Sequence, residues 1–239
     1  MSLRGRKNKP GHITFVGSGP GDPGLLTTRA RTVLANAALV FTDPDVPDAV
    51  LALVGCELPP PSGPLPELTD QAARATTDDA GQADDAKAAD VQDAVAVTPG
   101  GPDVRPALGD PAEGAKTLAT EARTGVDVVR LVAGDPLSID AVITEVNALA
   151  RTQLSFEIVP GLPDTTAVPT YAGLPLGSAH TVADVRGDVD WAALAAAPGP
   201  LILHATASHL PDAARPLIEY GLSDNTPTLV TARGTTCQQ

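Results

Sequence analysis

A short apolar run, His12-Ile-Thr-Phe-Val16, ends in the glycine cluster GSGPGDPG at 17–24, and this junction restricts the chain more than any other feature. After it, Leu26, Ala30, Val33, Leu34 and Ala37 recur at helical spacing, and Leu39-Val40-Phe41 forms a second short apolar run ending at Asp43-Pro44. A strand, a glycine-bent loop, a helix and another strand within about 30 residues make one parallel crossover unit. Asp48 to Val54 reads as a further short helix.

The same alternation resumes downstream. The spacing predicts a helix over 111–123 stopped by Gly125, a strand over 127–133 and a helix over 138–150. A strand over 154–159 follows, then a short helix at 165–171 and strands at 180–185 and 201–205. A helix over 208–220 and a final strand over 227–232 complete the pattern. Strands alternating with helices make this an α/β protein. The expected organisation is a tail at 1–11, an N-terminal α/β lobe over 12–134 and a C-terminal α/β lobe over 135–239. Within the first lobe, 59–102 reads as a low-complexity insertion. It has few large apolar residues, so burial does not offset the entropy of ordering it.

Composition excludes several functions. The net charge of −13 opposes broad electrostatic binding to nucleic acid or anionic membranes. Seven aspartates between Asp70 and Asp93 concentrate part of that charge in the insertion. No apolar run approaches the roughly 20 residues of a membrane span, and no signal-peptide core follows the basic residues at 4–9, so cytoplasmic residence is the default. Cys56 and Cys237 match no redox or metal spacing, and the four histidines form no ligand pair, so no metal is expected.

The glycine loop begins like a dinucleotide fingerprint but carries Asp22 in place of the third glycine. Pro20 and Pro23 remove two backbone donors, and Asp22 adds a like charge, so phosphate binding is disfavoured. Two readings of the loop stand. It is either a tight turn with Asp22 or Thr27 capping the helix, or a wall for a ligand without phosphate.

Joined to the rest of the chain, the loop gains specificity. VGSGPGDPGLLTTRA (16–30) resembles the opening signature of the tetrapyrrole methylases. The resemblance continues in register through ALVFTD (38–43), VVRLVAGDP (128–136), IVPGLPDTTAVPTYAGLPL (158–176), PLILHAT (200–206) and GTTCQQ (234–239). It implies a two-lobed tetrapyrrole methylase fold with mixed or parallel sheets flanked by helices, usually a homodimer, with S-adenosylmethionine held between the lobes. On the nearest branch it implies C-methylation of uroporphyrinogen III to precorrin-2, on the route to cobalamin or sirohaem. Some members of that branch are fused to uroporphyrinogen-III synthase.

By position, the resemblance makes Pro20, Ala133, Gly134, Asp135, Ser138, Pro163, Asp164, Ala205 and Gly234 cofactor contacts and Asp43 a catalytic base. The bare residues allow other roles: Asp43 as a cap for the turn at Pro44, and Asp135 as a helix cap before Pro136. The chain departs from the family pattern in four places. Cys56-Glu-Leu-Pro-Pro-Pro replaces a stretch with a proposed proton-donating lysine, AGDPLSIDAVITE (133–145) lacks the family's first glycine and central arginine, Pro163-Asp164 replaces a Thr-Ala pair, and Ala205 replaces a methionine. These departures support an alternative: a catalytically degenerate methylase-like module serving a bifunctional synthase.

Overall fold

A computed structural model describes residues 9–56, 101–205, 209–232 and 234–235. Five strands form one all-parallel sheet: β1 (Ile13–Gly17), β2 (Leu39–Thr42), β3 (Asp103–Pro106), β4 (Val128–Val132) and β5 (Phe156–Val159). Their spatial order is β3-β2-β4-β1-β5. Thus β1 lies between two later strands, pairing Ile13 with Val128 on one side and with Phe156 on the other.

Side-chain alternation along the strands builds two cores. On one face Ile13, Phe15, Phe41 and Val132 pack against α3 (Pro111–Arg123) and α4 (Asp140–Ala150). On the other face Val16, Val40, Leu131 and Val159 pack with Leu34 of α1 (Thr28–Ala35) and Val50 of α2 (Asp48–Leu51). Every residue of β1 and β4 is buried, as a sheet covered on both faces requires.

Local sequence accounts for the helices. Asp110 accepts a hydrogen bond from Ala112 N at the start of α3, and Pro111 occupies the first turn, where its missing N–H is harmless. Ala115, Leu118, Ala119 and Ala122 then make the buried stripe. Gly125, at φ 98°, leaves the helix through a conformation that side chains rarely adopt.

The rest of the chain forms a second layer. A two-stranded parallel sheet pairs β6 (Thr181–Asp184) with β7 (Leu201–His204). Helices α6 (Trp191–Ala195) and α7 (Leu210–Glu219) cover it through a small core of Val185, Leu194, Ala213 and Leu217. Helix α5 (Asp164–Tyr171) links the two sheets.

Several expectations require correction. The boundary at 134/135 divides one sheet, because β5 pairs with β1; the change of sheet comes after Val159. The tail ends earlier than 11: Gly11 is buried and donates to Ala122 O at 2.7 Å, and a Cβ there would lie 2.0 Å from Val126 O. The strand expected at 227–232 does not form, and Leu229 and Val230 are 57 % and 63 % exposed. That segment has β-forming residues but pairs with no strand of either sheet, although Leu229 and Thr231 lie beside β7 in one groove. Conversely, β3 escaped the pattern because Asp103-Val-Arg-Pro106 is a largely exposed edge strand with one large aliphatic residue. The α2 helix stops at Leu51 and passes into turns rather than running to Val54. Residues 59–100 of the expected insertion, and Cys237, lie outside the described residues.

Candidate functional site at the sheet's carboxyl edge

Three loops leave the carboxyl ends of β1, β4 and β5 and meet at backbone contact distance. Gly19 and Gly134 exchange two hydrogen bonds, each 3.1 Å, in an isolated antiparallel bridge. A Cβ on Gly17 would stand 2.4 Å from Gly161 N, and one on Gly161 would stand 2.0 Å from Gly134 O. These glycines are therefore obligatory for the approach of the loops. The loop after β5 is tied in further by the Asp135 carboxylate, which accepts from Gly161 N at 3.2 Å. Gly134 adopts φ 69°, and no atom lies within 4 Å of the position a Cβ would take, so its outer side faces open space. A crevice at the carboxyl ends of parallel strands is where open α/β sheets bind ligands.

Both candidate caps in the glycine loop are used. Asp22 accepts from Gly24 N at 2.7 Å, and Thr27 accepts from Ala30 N at 3.1 Å to cap α1. The loop is thus a tight turn and, at the same time, one wall of the crevice. Asp135 precedes a short 3-10 turn (Pro136–Ser138) without capping it through its side chain. Instead its backbone oxygen accepts from the Ser138 hydroxyl at 2.7 Å.

The second wall comes from α5 and β7. Between them runs a groove of about 270 Å³ whose lining includes Asp164, Val168, Leu203, His204 and Ala205. Pro163 and Asp164 begin α5. Gly234 sits against Val168, where a Cβ would lie 2.6 Å from a methyl carbon. The Thr235 hydroxyl donates to Pro20 O at 3.3 Å, joining this end of the chain to the glycine loop. Pro20 and Gly134 are thus tied to the glycine-loop contacts, Asp135 to Gly161, and Gly234 to Val168 of the groove that Asp164 and Ala205 line, although 215 positions separate Pro20 from Thr235; Ala133, Ser138 and Pro163 adjoin these residues in sequence.

Asp43 stands apart in its interactions. At the carboxyl end of β2, its Oδ1 lies 2.6 Å from Nη2 of Arg130, and the aspartate side chain is 20 % exposed. It does not cap the Pro44 turn through its side chain; its backbone oxygen accepts from Val46 N. Arg130 is itself buried within the sheet, with Nε 2.9 Å from Glu145 Oε2 on α4 and Nη1 donating to Leu131 O at 3.1 Å. Burial works against the guanidinium charge, but Glu145 and Asp43 outweigh it and raise the Arg130 pKa. Burial pushes the Glu145 carboxyl up, aided by the nearby Asp43 charge and opposed by the Arg130 guanidinium.

Arg130 and Glu145 were not singled out by sequence reasoning. An arginine in an otherwise apolar strand, Val-Val-Arg-Leu-Val, was the available signal, since a buried arginine demands a carboxylate. His204 was likewise missed, hidden inside the apolar run of β7. Among the described residues, no group of three or more His, Cys, Asp or Glu side chains is placed to hold a metal ion. None of the described helices is long and apolar enough to cross a membrane.

Siroheme synthase 1 of Yersinia enterocolitica is 30 % identical over 249 residues, an alignment spanning 100 % of this chain and 45 % of that protein. The chain thus spans less than half the length of the siroheme synthases it matches. The uroporphyrinogen-III C-methyltransferase of a Synechocystis species is 28 % identical over 251 residues, covering 100 % of this chain and 81 % of that protein. In structure, the chain is similar to uroporphyrin-III C-methyl transferase from Thermus thermophilus complexed with S-adenyl homocysteine. The TM-score is 0.68 at 24 % identity, over 95 % of this chain and 85 % of that one, which establishes the common fold. The model of the tetrapyrrole (corrin/porphyrin) methylases matches residues 12–239, from the first buried strand through both walls of the crevice, and the chain belongs to that family.

Proposed function

We propose that this chain is the methyl-transferring domain of an S-adenosylmethionine-dependent C-methyltransferase that acts on uroporphyrinogen III and yields precorrin-2, for sirohaem or cobalamin synthesis. The observation that carries this reading is the meeting of the β1, β4 and β5 loops around the open side of Gly134. The residues present suit such a cofactor. The crevice offers backbone carbonyls and hydroxyls, the groove offers apolar walls beside the Asp164 carboxylate, and the proline-bearing loop is poor in phosphate-binding donors.

When bound, S-adenosylmethionine supplies an electrophilic methyl group on a sulfonium. The protein's task is alignment and proton removal. In this reading the Gly134-Asp135 turn and Ser138 help hold the methionine part, and Pro20, Pro163, Asp164, Ala205 and Gly234 complete the enclosure of the cofactor. Asp43, with Oδ1 held by Arg130, presents Oδ2 as the acceptor for the proton lost from the methylated ring. The family resemblance further supports a homodimer, and the greater length of the matched siroheme synthases supports a further fused domain.

A second reading, a methylase-like module with little activity, draws on the engagement of Asp43 by Arg130. One experiment separates the two. Calorimetric titration with S-adenosylmethionine is followed by mass-spectrometric assay of uroporphyrinogen III for added methyl groups. Binding with methylation is the expected result. Binding without methylation selects the second reading, and no binding removes the first.

A further inference from the structure

The groove between α5 and β7 has an asymmetric distribution of charge. Two basic side chains and one carboxylate line it: Arg186, His204 and Asp164. Arg186 is already engaged, donating from Nε and Nη2 to both oxygens of Asp184. That pairing holds the Asp184 carboxyl down to about 2, with a smaller contribution from His204. Asp164 acts on Arg186 at longer range but is hydrogen-bonded to no cation among the described residues. Its Oδ1 accepts from Thr165 N at 2.8 Å, and the nearest basic atom is Nε2 of His204 at 3.7 Å. That separation exceeds a hydrogen bond, so a neutral imidazole gives the carboxylate little.

The groove otherwise presents apolar surface from Val168, Leu201 and Leu203. A carboxylate beside apolar walls pairs more strongly with a cation than one in bulk water. The Asp164 and His204 side chains are 46 % and 31 % exposed, which leaves room for a ligand group and for the ring to turn. Charged groups acting here come from each neighbouring element. Asp164 lies on α5, Asp184 and Arg186 lie at the end of β6, and Asp45, after β2, acts on Arg186.

We propose that Asp164 and His204 form a proton-controlled receptor for the cationic group of the ligand in this groove. With the imidazole neutral, the Asp164 carboxylate takes the ligand's ammonium or sulfonium. With the imidazole protonated, His204 competes for the same carboxylate and the cationic ligand is released. The inference rests on the reading of this groove as part of the S-adenosylmethionine site, and adds a residue and a pH dependence to it.

Calorimetric binding of S-adenosylmethionine and S-adenosylhomocysteine tests the inference, on the full chain and its Asp164→Asn and His204→Gln variants. Measurements are made at about pH 5.5 and about pH 7.5. Both substitutions nearly preserve size at partly exposed positions, and unfolding curves verify that the variants remain folded. The expected result at the higher pH is S-adenosylmethionine binding about tenfold weaker in Asp164→Asn, the loss of one charge-assisted contact. The unsubstituted protein weakens several-fold at the lower pH, while His204→Gln keeps its affinity there. Equal losses for both ligands assign the cation as the ammonium, and a loss confined to S-adenosylmethionine assigns the sulfonium. Asp164→Asn binding as tightly as the unsubstituted chain, or identical affinity of that chain at both pH values, overturns the inference and leaves the cofactor reading intact. Failure of the unsubstituted chain to bind S-adenosylmethionine overturns both.

Discussion

The two sheets of this molecule are held in different ways. The five-stranded sheet has cores on both faces, and β1 and β4 are buried throughout. The β6–β7 sheet has one small core, none of its strand residues is fully buried, and Val182 is 45 % exposed. The candidate site draws a wall from each. The glycine contacts belong to the well-buried sheet, where backbone approach is set to within van der Waals distance. The Asp164–His204 groove belongs to the lightly held side, where side chains retain freedom. Rigid geometry and adjustable chemistry are thus carried by different layers.

The sharpest way to break the first layer is Arg130→Ala. It strands the Glu145 carboxylate, 2 % exposed, with no cation, and we expect a loss of about 3–5 kcal/mol in denaturant unfolding. Truncation of apolar residues compares the two layers directly. Leu131→Ala in the central strand is expected near the upper end of the range of about 2–5 kcal/mol, and Leu217→Ala near the lower end. Equal costs at the two positions would erase the distinction between the layers. Gly161→Ala should destabilise by about 1–3 kcal/mol, because its Cβ would fall 2.0 Å from Gly134 O. Displacement of the loops should also abolish S-adenosylmethionine binding, read by calorimetry.

The smallest effect concerns Asp184. Its folded pKa, lowered to about 2 from 3.8, means that its pairing with Arg186 contributes stability above pH 3.8 and loses it as pH falls towards 2. Both side chains are about half exposed, so solvent screening keeps the contribution under about 1 kcal/mol. Asp184→Asn should lower stability at neutral pH and match the unsubstituted chain near pH 2, in thermal unfolding across that range.

The legibility of the sequence follows the same division. The β1–loop–α1–β2 unit was readable because a doubly covered sheet needs continuous apolar runs, and α3 was readable to its observed ends, Pro111 and Arg123, from its stripe, proline and glycine. Away from the doubly covered strands the reading was harder. The apolar run at 227–232 promised a strand that did not form, and β3, at the edge of the five-stranded sheet, lacked the expected pattern. Along β-forming residues, what decides is whether a partner strand is engaged, and that is a tertiary fact. For the site, the family resemblance pointed to residues in the loops after the central strands and beside the α5–β7 groove. It did not reveal Arg130 engaging Asp43, or His204 near Asp164, because the first pairing joins neighbouring strands and the second a helix and a strand, all far apart in sequence.

The placement of β1 between β4 and β5 also bears on how the protein is made. As the ribosome delivers the chain, the first strand emerges with both edges unpaired; one can be satisfied only once β4 is made, up to Val132, and the other only once β5 is made, up to Val159. An apolar segment with open edges must therefore wait for strands far along the chain, a period in which pairing between nascent chains is a hazard and shielding by a chaperone is advantageous.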